Sequence, residues 1–299
     1  MSTEETKYLT LLGEILAKGT VREDRTGVGT YGLFGTQLRF SLEGGTVPLL
    51  TTKKMFTKGI IEELLFFIRG ETDTKKLEAK GVKIWTGNTS REFLDKKGLS
   101  HYAEGEMGPM YGYQWRNFGK DRLWVETDEF GIENFIEVEG IDQLQNAFDL
   151  IKNDPNSRRI IVSAYNPTVS SKCVLEPCHM FFQFHVEGEY LSCQWYQRSV
   201  DSFLGLPFNI ASYAILTHMM AKATGLKAKE LIFTGGDTHI YKNHTKQVLE
   251  QLTRDPYPFP VLSIKKDLNS IKDMEKLEHT DFEFIGYRSH PAIKAEMAV

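Results

Sequence analysis

Near the N-terminus the apolar residues Tyr8, Leu9, Leu12, Ile15 and Leu16 recur at helical intervals. Ser2 and Glu5 stand at capping-box spacing and Gly19 offers a stop, so the spacing predicts a helix from about residue 4 to 18. Leu38, Phe40 and Leu42 alternate as in a half-buried strand. The apolar run Ile60 to Ile68 reads as a buried helix carrying two acids, Glu62 and Glu63, with room for one of them to face water. Arg159 to Tyr165 reads as a strand, and Met180 to Tyr196 as two more joined near Glu187 and Gly188. Ala211 to Ala223 reads as a buried helix ending at Gly225, and Asn243 to Thr253 as another ending before Pro256. Helices covering one face of a mixed sheet make an α+β fold, expected here as a single domain over residues 1–299. The acid-rich, weakly periodic stretch Asp121 to Asp142 reads as a surface excursion rather than a linker.

Composition narrows the function classes. With 299 residues, 41% of them hydrophobic, the chain can bury a substantial core. A net charge of −4 lacks the positive excess of a long nucleic-acid footprint, though a few focused arginines can hold a small anion. Glu4 and Glu5 precede the first apolar residues, so a signal peptide is not expected, and no run of about 18 apolar residues suggests a membrane span. Cys173, Cys178 and Cys193 match neither a zinc motif nor a disulfide framework, so a reducing, cytoplasmic setting without a metal is expected.

Candidate chemistry concentrates at a few places. Glu176-Pro177-Cys178-His179 puts a thiol beside an imidazole, and a thiol needs a nearby cation or base to act as a nucleophile near neutral pH. Neighbouring strand side chains point to opposite faces, so adjacency proves little, and a small buried apolar residue is the ordinary reading of any one cysteine taken alone. Arg25, the pair Arg158 and Arg159, and Arg198 next to Ser199 would suit a phosphate dianion if they converge; separate surface ion pairs are the alternative. Asn209 offers both a donor and an acceptor, as a uracil edge requires, or it caps the following helix. Asp237, His239 and Tyr241 alternate and either contact a sugar or form a network at a sheet edge.

Several blocks together resemble the thymidylate synthase family across nearly the whole chain: Arg25-Thr26-Gly27, Met110-Tyr111-Gly112 with Gln114-Trp115-Arg116, Pro177-Cys178-His179, Tyr196-Gln197-Arg198-Ser199, Leu206 to Tyr213, and His239-Ile240-Tyr241 with Asn243-His244. The resemblance implies reductive methylation of dUMP to dTMP, with 5,10-methylenetetrahydrofolate as co-substrate and dihydrofolate as second product. Cys178 would add to pyrimidine carbon 6, and Glu63 with His179 and Tyr111 would move protons. Arg25, Gln197, Arg198 and Ser199 would hold the nucleotide, and Arg158 and Arg159 would reach across a homodimer formed on a sheet face. His239 and Tyr241 would bind the deoxyribose hydroxyl, and Asn209 would read uracil, where related dCMP hydroxymethylases carry aspartate. Asp201 would meet the pterin, with Ile84, Trp85, Leu175, Leu204, Gly205 and Phe208 lining its pocket and Ala298 in a closing tail. Neither a membrane nor an obligatory nucleic acid is implied as a partner.

Four positions differ from the usual family pattern: Phe66, Thr86, Tyr165 and Glu176. Glu176 is expected to raise the Cys178 pKa by like-charge repulsion unless an arginine neutralises it, and Thr86 to loosen packing around Trp85. These departures keep open a dUMP hydroxymethylase, in which water ends the reaction. A silent nucleotide- or RNA-binding relative is the alternative from another class.

Overall fold

Phe182 and Phe184 are buried and Val186 half-buried on one side of a strand while Glu187, His185 and Phe181 leave the other open, and this two-residue repeat organises the molecule. The computed structural model describes residues 4–24, 26–127 and 133–296. In chain order its elements are α1 (Glu5–Lys18), β1 (Thr20–Arg22), β2 (Thr30–Ser41), α2 (Thr57–Ile68), α3 (Lys75–Ala79), α4 (Arg91–Lys96), α5 (Gly112–Asn117), β3 (Asp121–Thr127), β4 (Glu133–Val138), α6 (Gln143–Asn153), β5 (Ile161–Ser163), β6 (His179–Glu187), β7 (Tyr190–Asp201), α7 (Gly205–Thr224), β8 (Lys227–Tyr241), α8 (Thr245–Leu252), β9 (Val261–Ile264), α9 (Ile271–Glu275) and β10 (Phe282–Ile285).

Six strands form one sheet in the order β1-β2-β8-β7-β6-β5. β7 and β8 run parallel and every other pair is antiparallel, so the sheet is mixed and the fold α+β. Phe182, Phe184, Trp195 and Phe233 project from one face into the core, where Ile210, Tyr213 and Ala214 of α7 also lie buried. The opposite face carries Arg39, Gln183, His185, Gln194 and Glu230.

Several expectations are corrected. Glu5 makes no capping box: its buried carboxylate accepts four hydrogen bonds of 2.6–2.9 Å from the N–H and hydroxyl groups of Thr51 and Thr52, pinning that loop to α1. Ser2 lies outside the described residues. Of the two acids of α2, Glu62 is buried against Lys80 at 2.6 Å and His279 at 2.9 Å, while Glu63 is half-buried and keeps partial access to solvent. Within the acid-rich excursion β3 and β4 pair antiparallel. α7 starts at Gly205 rather than Ala211, because Pro207 lies in the first turn, where a helix needs no N–H from it. Strand β5 covers only three residues of the expected Arg159 to Tyr165.

Candidate active site

Strand register assembles the site. β6 and β7 fold back so that His179 pairs with Gln197, and β7 runs beside β8 with Ser199 opposite Asp237 and Asp201 opposite His239. The antiparallel pairing also brings Cys178 to Arg198, whose N–H donates to the Cys178 carbonyl at 2.9 Å. Gly236 allows this close packing, since a Cβ there would lie 2.8 Å from the Arg198 carbonyl oxygen.

Cys173 and Cys193 are buried, and burial pushes their thiols up to about 11 and about 12 respectively, which makes them poor nucleophiles. Cys178 is half-exposed. The Arg198 guanidinium is anchored on the Glu176 and Pro177 carbonyls at 2.8 and 3.0 Å and stands 3.9 Å from Cys178 Sγ. This fixed cation favours a thiolate. The Glu176 side chain points into solvent, so water screens the expected repulsion while Arg198 is held close.

His179 does not supply that cation. Its buried ring bonds the Tyr213 hydroxyl through Nδ1 at 2.8 Å, and burial holds its pKa down to about 3, so it stays neutral across the physiological range. The ring stacks on Tyr111 with centroids 4.1 Å apart. Tyr111 has φ +41°, a strained backbone for a residue with a side chain. The next residue, Gly112, packs tightly on α2, since a Cβ there would fall 2.4 Å from the Phe67 carbonyl oxygen. The Tyr111 hydroxyl accepts the Cys178 N–H at 3.0 Å. Burial raises the Tyr111 pKa well above its ordinary value, so the phenol keeps its proton.

Glu63 accepts the Trp85 indole N–H at 2.7 Å. Burial pushes its pKa up to about 7, against the opposing effect of that bond, which places the carboxyl where it can exchange protons near neutrality. The Thr86 hydroxyl donates to Glu78 at 2.7 Å, so it engages α3, while Trp85 is anchored by Glu63. On the far side, Trp195 Nε1 donates to Gln197 Oε1, and Gln197 Nε2 donates to Asn209 Oδ1, both at 3.2 Å. Asn209 lies inside α7 and does not cap it; the chain of bonds from Trp195 fixes which end of its amide accepts.

Asp201 Oδ1 accepts the Phe203 and Leu204 N–H groups at 2.9 and 3.2 Å. Ile84, Trp85, Leu175, Leu204 and Phe208 are half-exposed apolar side chains packed on the core, and Gly205 opens α7 beside them. His239 bonds Asp237 at 3.0 Å and packs edge-on against Tyr241 at 5.2 Å. β8 is an interior strand, so the Asp237–His239 bond belongs to a polar network inside the sheet rather than at its edge. Arg158 and Arg159 are exposed ahead of β5, away from these contacts, whereas Arg25 and Ala298 lie outside the described residues. Among the described residues, no group of three or more His, Cys, Asp or Glu side chains is placed to hold a metal.

The sequence reading missed three buried polar residues here. Lys53 donates to the Phe203 carbonyl with its Nζ 3.7 Å from the Phe203 ring centre, and burial holds it down to about 7 despite the carboxylates of Asp201 and Glu5. Tyr213 positions His179, and His244 stands beside Asp201. Tyr213 and His244 fall inside the quoted family blocks, which was their available signal; a lysine in Thr51-Thr52-Lys53-Lys54 reads as surface.

Fold and site together define an α+β protein in which a half-exposed thiol stands beside a fixed guanidinium. The chain belongs to the thymidylate synthase family: the family model described as thymidylate synthase matches residues 6–299. It is 50% identical to the thymidylate synthase of Homo sapiens over 295 residues, covering 99% of this chain and 91% of that protein. It is likewise 50% identical to the thymidylate synthase of Saccharomyces cerevisiae over 306 residues, covering 99% and 97%. The bifunctional dihydrofolate reductase-thymidylate synthase of Leishmania major is 50% identical over 298 residues, 99% of this chain but 55% of that protein. The chain thus spans about half the length of the bifunctional relatives it matches.

Proposed function

We propose that the protein converts dUMP and 5,10-methylenetetrahydrofolate into dTMP and dihydrofolate. The observation that carries this reading is the half-exposed Cys178 thiol 3.9 Å from the anchored Arg198 guanidinium, with the Tyr111 hydroxyl on the Cys178 N–H, Trp85 between Tyr111 and Glu63, and Asn209 bonded by Gln197, the residue before Arg198. Cys178 adds to pyrimidine carbon 6, and the displaced electron pair moves to the carbon 4 oxygen, where Asn209 Nδ2 donates. Asn209 Oδ1 keeps a lone pair for the ring N–H beside its bond from Gln197. Arg198, Ser199 and Arg25 bind the phosphate, and His239 and Tyr241 the sugar hydroxyl. Glu63 takes the carbon 5 proton through water, with Tyr111 and neutral His179 ordering the path.

Carbon 5 of the adduct attacks the folate-borne methylene; loss of the carbon 5 proton and of tetrahydrofolate leaves an exocyclic methylene, and hydride transfer to it from the folate, with departure of the Cys178 thiolate from carbon 6, gives dTMP and dihydrofolate. Asp201 Oδ2 and the half-exposed apolar residues around Trp85 fit a flat, hydrogen-bond-donating pterin. Ala298 belongs to the segment that closes over this pocket and excludes water. The working unit is a homodimer joined through the open sheet face, and Arg158 and Arg159 reach the partner's phosphate site. Exposed Phe34, Ile161 and Phe181 support an interface there. Among the described residues no helix is long and apolar enough to cross a membrane, and we place the protein in the cytoplasm.

Incubating the protein with dUMP and methylenetetrahydrofolate should give a nucleotide of methyl mass and the absorbance rise of dihydrofolate. A hydroxymethyl product with tetrahydrofolate would move the reading to a hydroxymethylase, and no product would leave a binding protein.

Asn209→Asp should narrow the preference for dUMP over dCMP by at least about 100-fold in kcat/KM, because a carboxyl can accept from the cytosine amino group but loses the amide donor. An unchanged preference would remove Asn209 from base reading.

A further inference from the structure

His244 is fully buried at the end of the 3-10 turn that follows β8. Its ring packs against Phe203 with centroids 5.5 Å apart and edge-on to Tyr241 at 5.7 Å. Nε2 lies 2.7 Å from the carbonyl oxygen of Glu296, so this nitrogen carries a hydrogen and donates it. In the neutral ring Nδ1 then presents a lone pair. That atom is buried, has no hydrogen-bond partner among the described residues and stands 3.9 Å from Asp201 Oδ2. Two acceptors facing each other across such a gap make no bond unless a donor or a proton enters. One rigid ring therefore contacts the C-terminal segment through one nitrogen and faces the Asp201 carboxylate with the other.

We propose that His244 is a positioning residue that couples folate binding at Asp201 to the seating of the C-terminal segment on the site. The inference rests on the reading of Asp201 as the pterin contact. Asp201 Oδ1 is already fixed by two backbone N–H groups, so a pterin donor must engage Oδ2, the oxygen that faces Nδ1. Changing the charge and position of Oδ2 changes the preferred placement of the ring. Because the imidazole is rigid, the Nε2–H bond to Glu296 changes with it. Coupling of this kind is reciprocal: a well-seated C-terminal segment should tighten folate binding to the same degree.

The test measures deuterium uptake of the peptide 291–299 in the dUMP-bound protein with and without dihydrofolate, together with KM for methylenetetrahydrofolate, kcat and dUMP affinity. Wild-type protein should show dihydrofolate-dependent protection. His244→Phe should lose that protection and raise the folate KM about 10-fold, with dUMP affinity unchanged. It should also release more hydroxymethyl-dUMP. His244→Gln, whose side-chain amide can still donate to the Glu296 carbonyl, should recover part of both effects. Unchanged protection and KM in His244→Phe overturn the coupling. Equal losses in both variants accompanied by weaker dUMP binding also overturn it, since they mark a general structural role. Wild-type protein that turns over without dihydrofolate-dependent protection overturns the coupling alone, whereas wild-type protein that makes no dTMP overturns the parent reading with it.

Discussion

Cys178→Ser should lower turnover by at least about 10⁴-fold while leaving dUMP affinity within a few-fold of wild type. The side chain that forms the bond to carbon 6 is lost, but the groups that hold the nucleotide are not. Arg198 keeps its anchors on the Glu176 and Pro177 carbonyls, Asn209 keeps its bond from Gln197, and the Cys178 N–H to Tyr111 bond is made by the backbone. Serine is a weaker nucleophile at this position, because a cation 3.9 Å away can favour a thiolate near neutral pH but cannot bring an alkoxide into that range. Isothermal titration with dUMP and single-turnover kinetics separate the two effects. Near-normal turnover would discard the covalent route, and lost dUMP binding would mean that Cys178 organises the site rather than attacks. Cys173→Ser and Cys193→Ser serve as controls: both thiols are buried, so any effect should appear in thermal stability.

Part of this site was legible in the sequence for a simple geometric reason. A hairpin turning at Gly188 and Glu189 pairs residues equidistant from the turn as far as Phe181 with Tyr196, and a register shift between His179 and Phe181, which the sequence does not show, then places His179 opposite Gln197 and Cys178 beside Arg198. The buried helix α2 and the sheet-covering helix α7 were equally visible as apolar runs, though the proline in the first turn of α7 concealed its true start. What stayed hidden depends on three-dimensional burial. Cys178 and His179 are neighbours in sequence, yet one meets Arg198 and the other turns inward to Tyr213, so the cation that favours the thiolate comes from another strand. Glu62 and Glu63 look alike in sequence and separate only once Lys80 pairs with the first and His279 hydrogen-bonds it. Strand β8, fifteen residues long, was recognised at its alternating end alone; its Glu230 to Gly236 portion mixes apolar and small residues without a clear period.

Glu63→Gln tests the remaining acid, with opposite effects on rate and stability. The rate should fall by about 10²- to 10⁴-fold, because a glutamine cannot accept the carbon 5 proton. Wild-type kcat/KM should rise with pH and level off above about 7, where burial has placed the carboxyl pKa, and the variant should lose that limb. Trp85→Phe should move the limb to higher pH, since the indole N–H favours the ionised carboxylate against the effect of burial. The stability effect follows from the same shift. A carboxyl whose folded pKa is raised above its ordinary 4.5 binds its proton more tightly in the folded state. Its contribution to stability is therefore complete below the unfolded value and lost as pH rises through about 7. Glutamine has no such loss, so the melting temperature of Glu63→Gln should exceed that of wild type by a margin that grows between pH 4.5 and about 7 and is constant above. Melting curves across that range check the margin. A constant difference would mean that Glu63 is not held as a desolvated acid, and a pH profile shared by wild type and variant would take the proton transfer away from it.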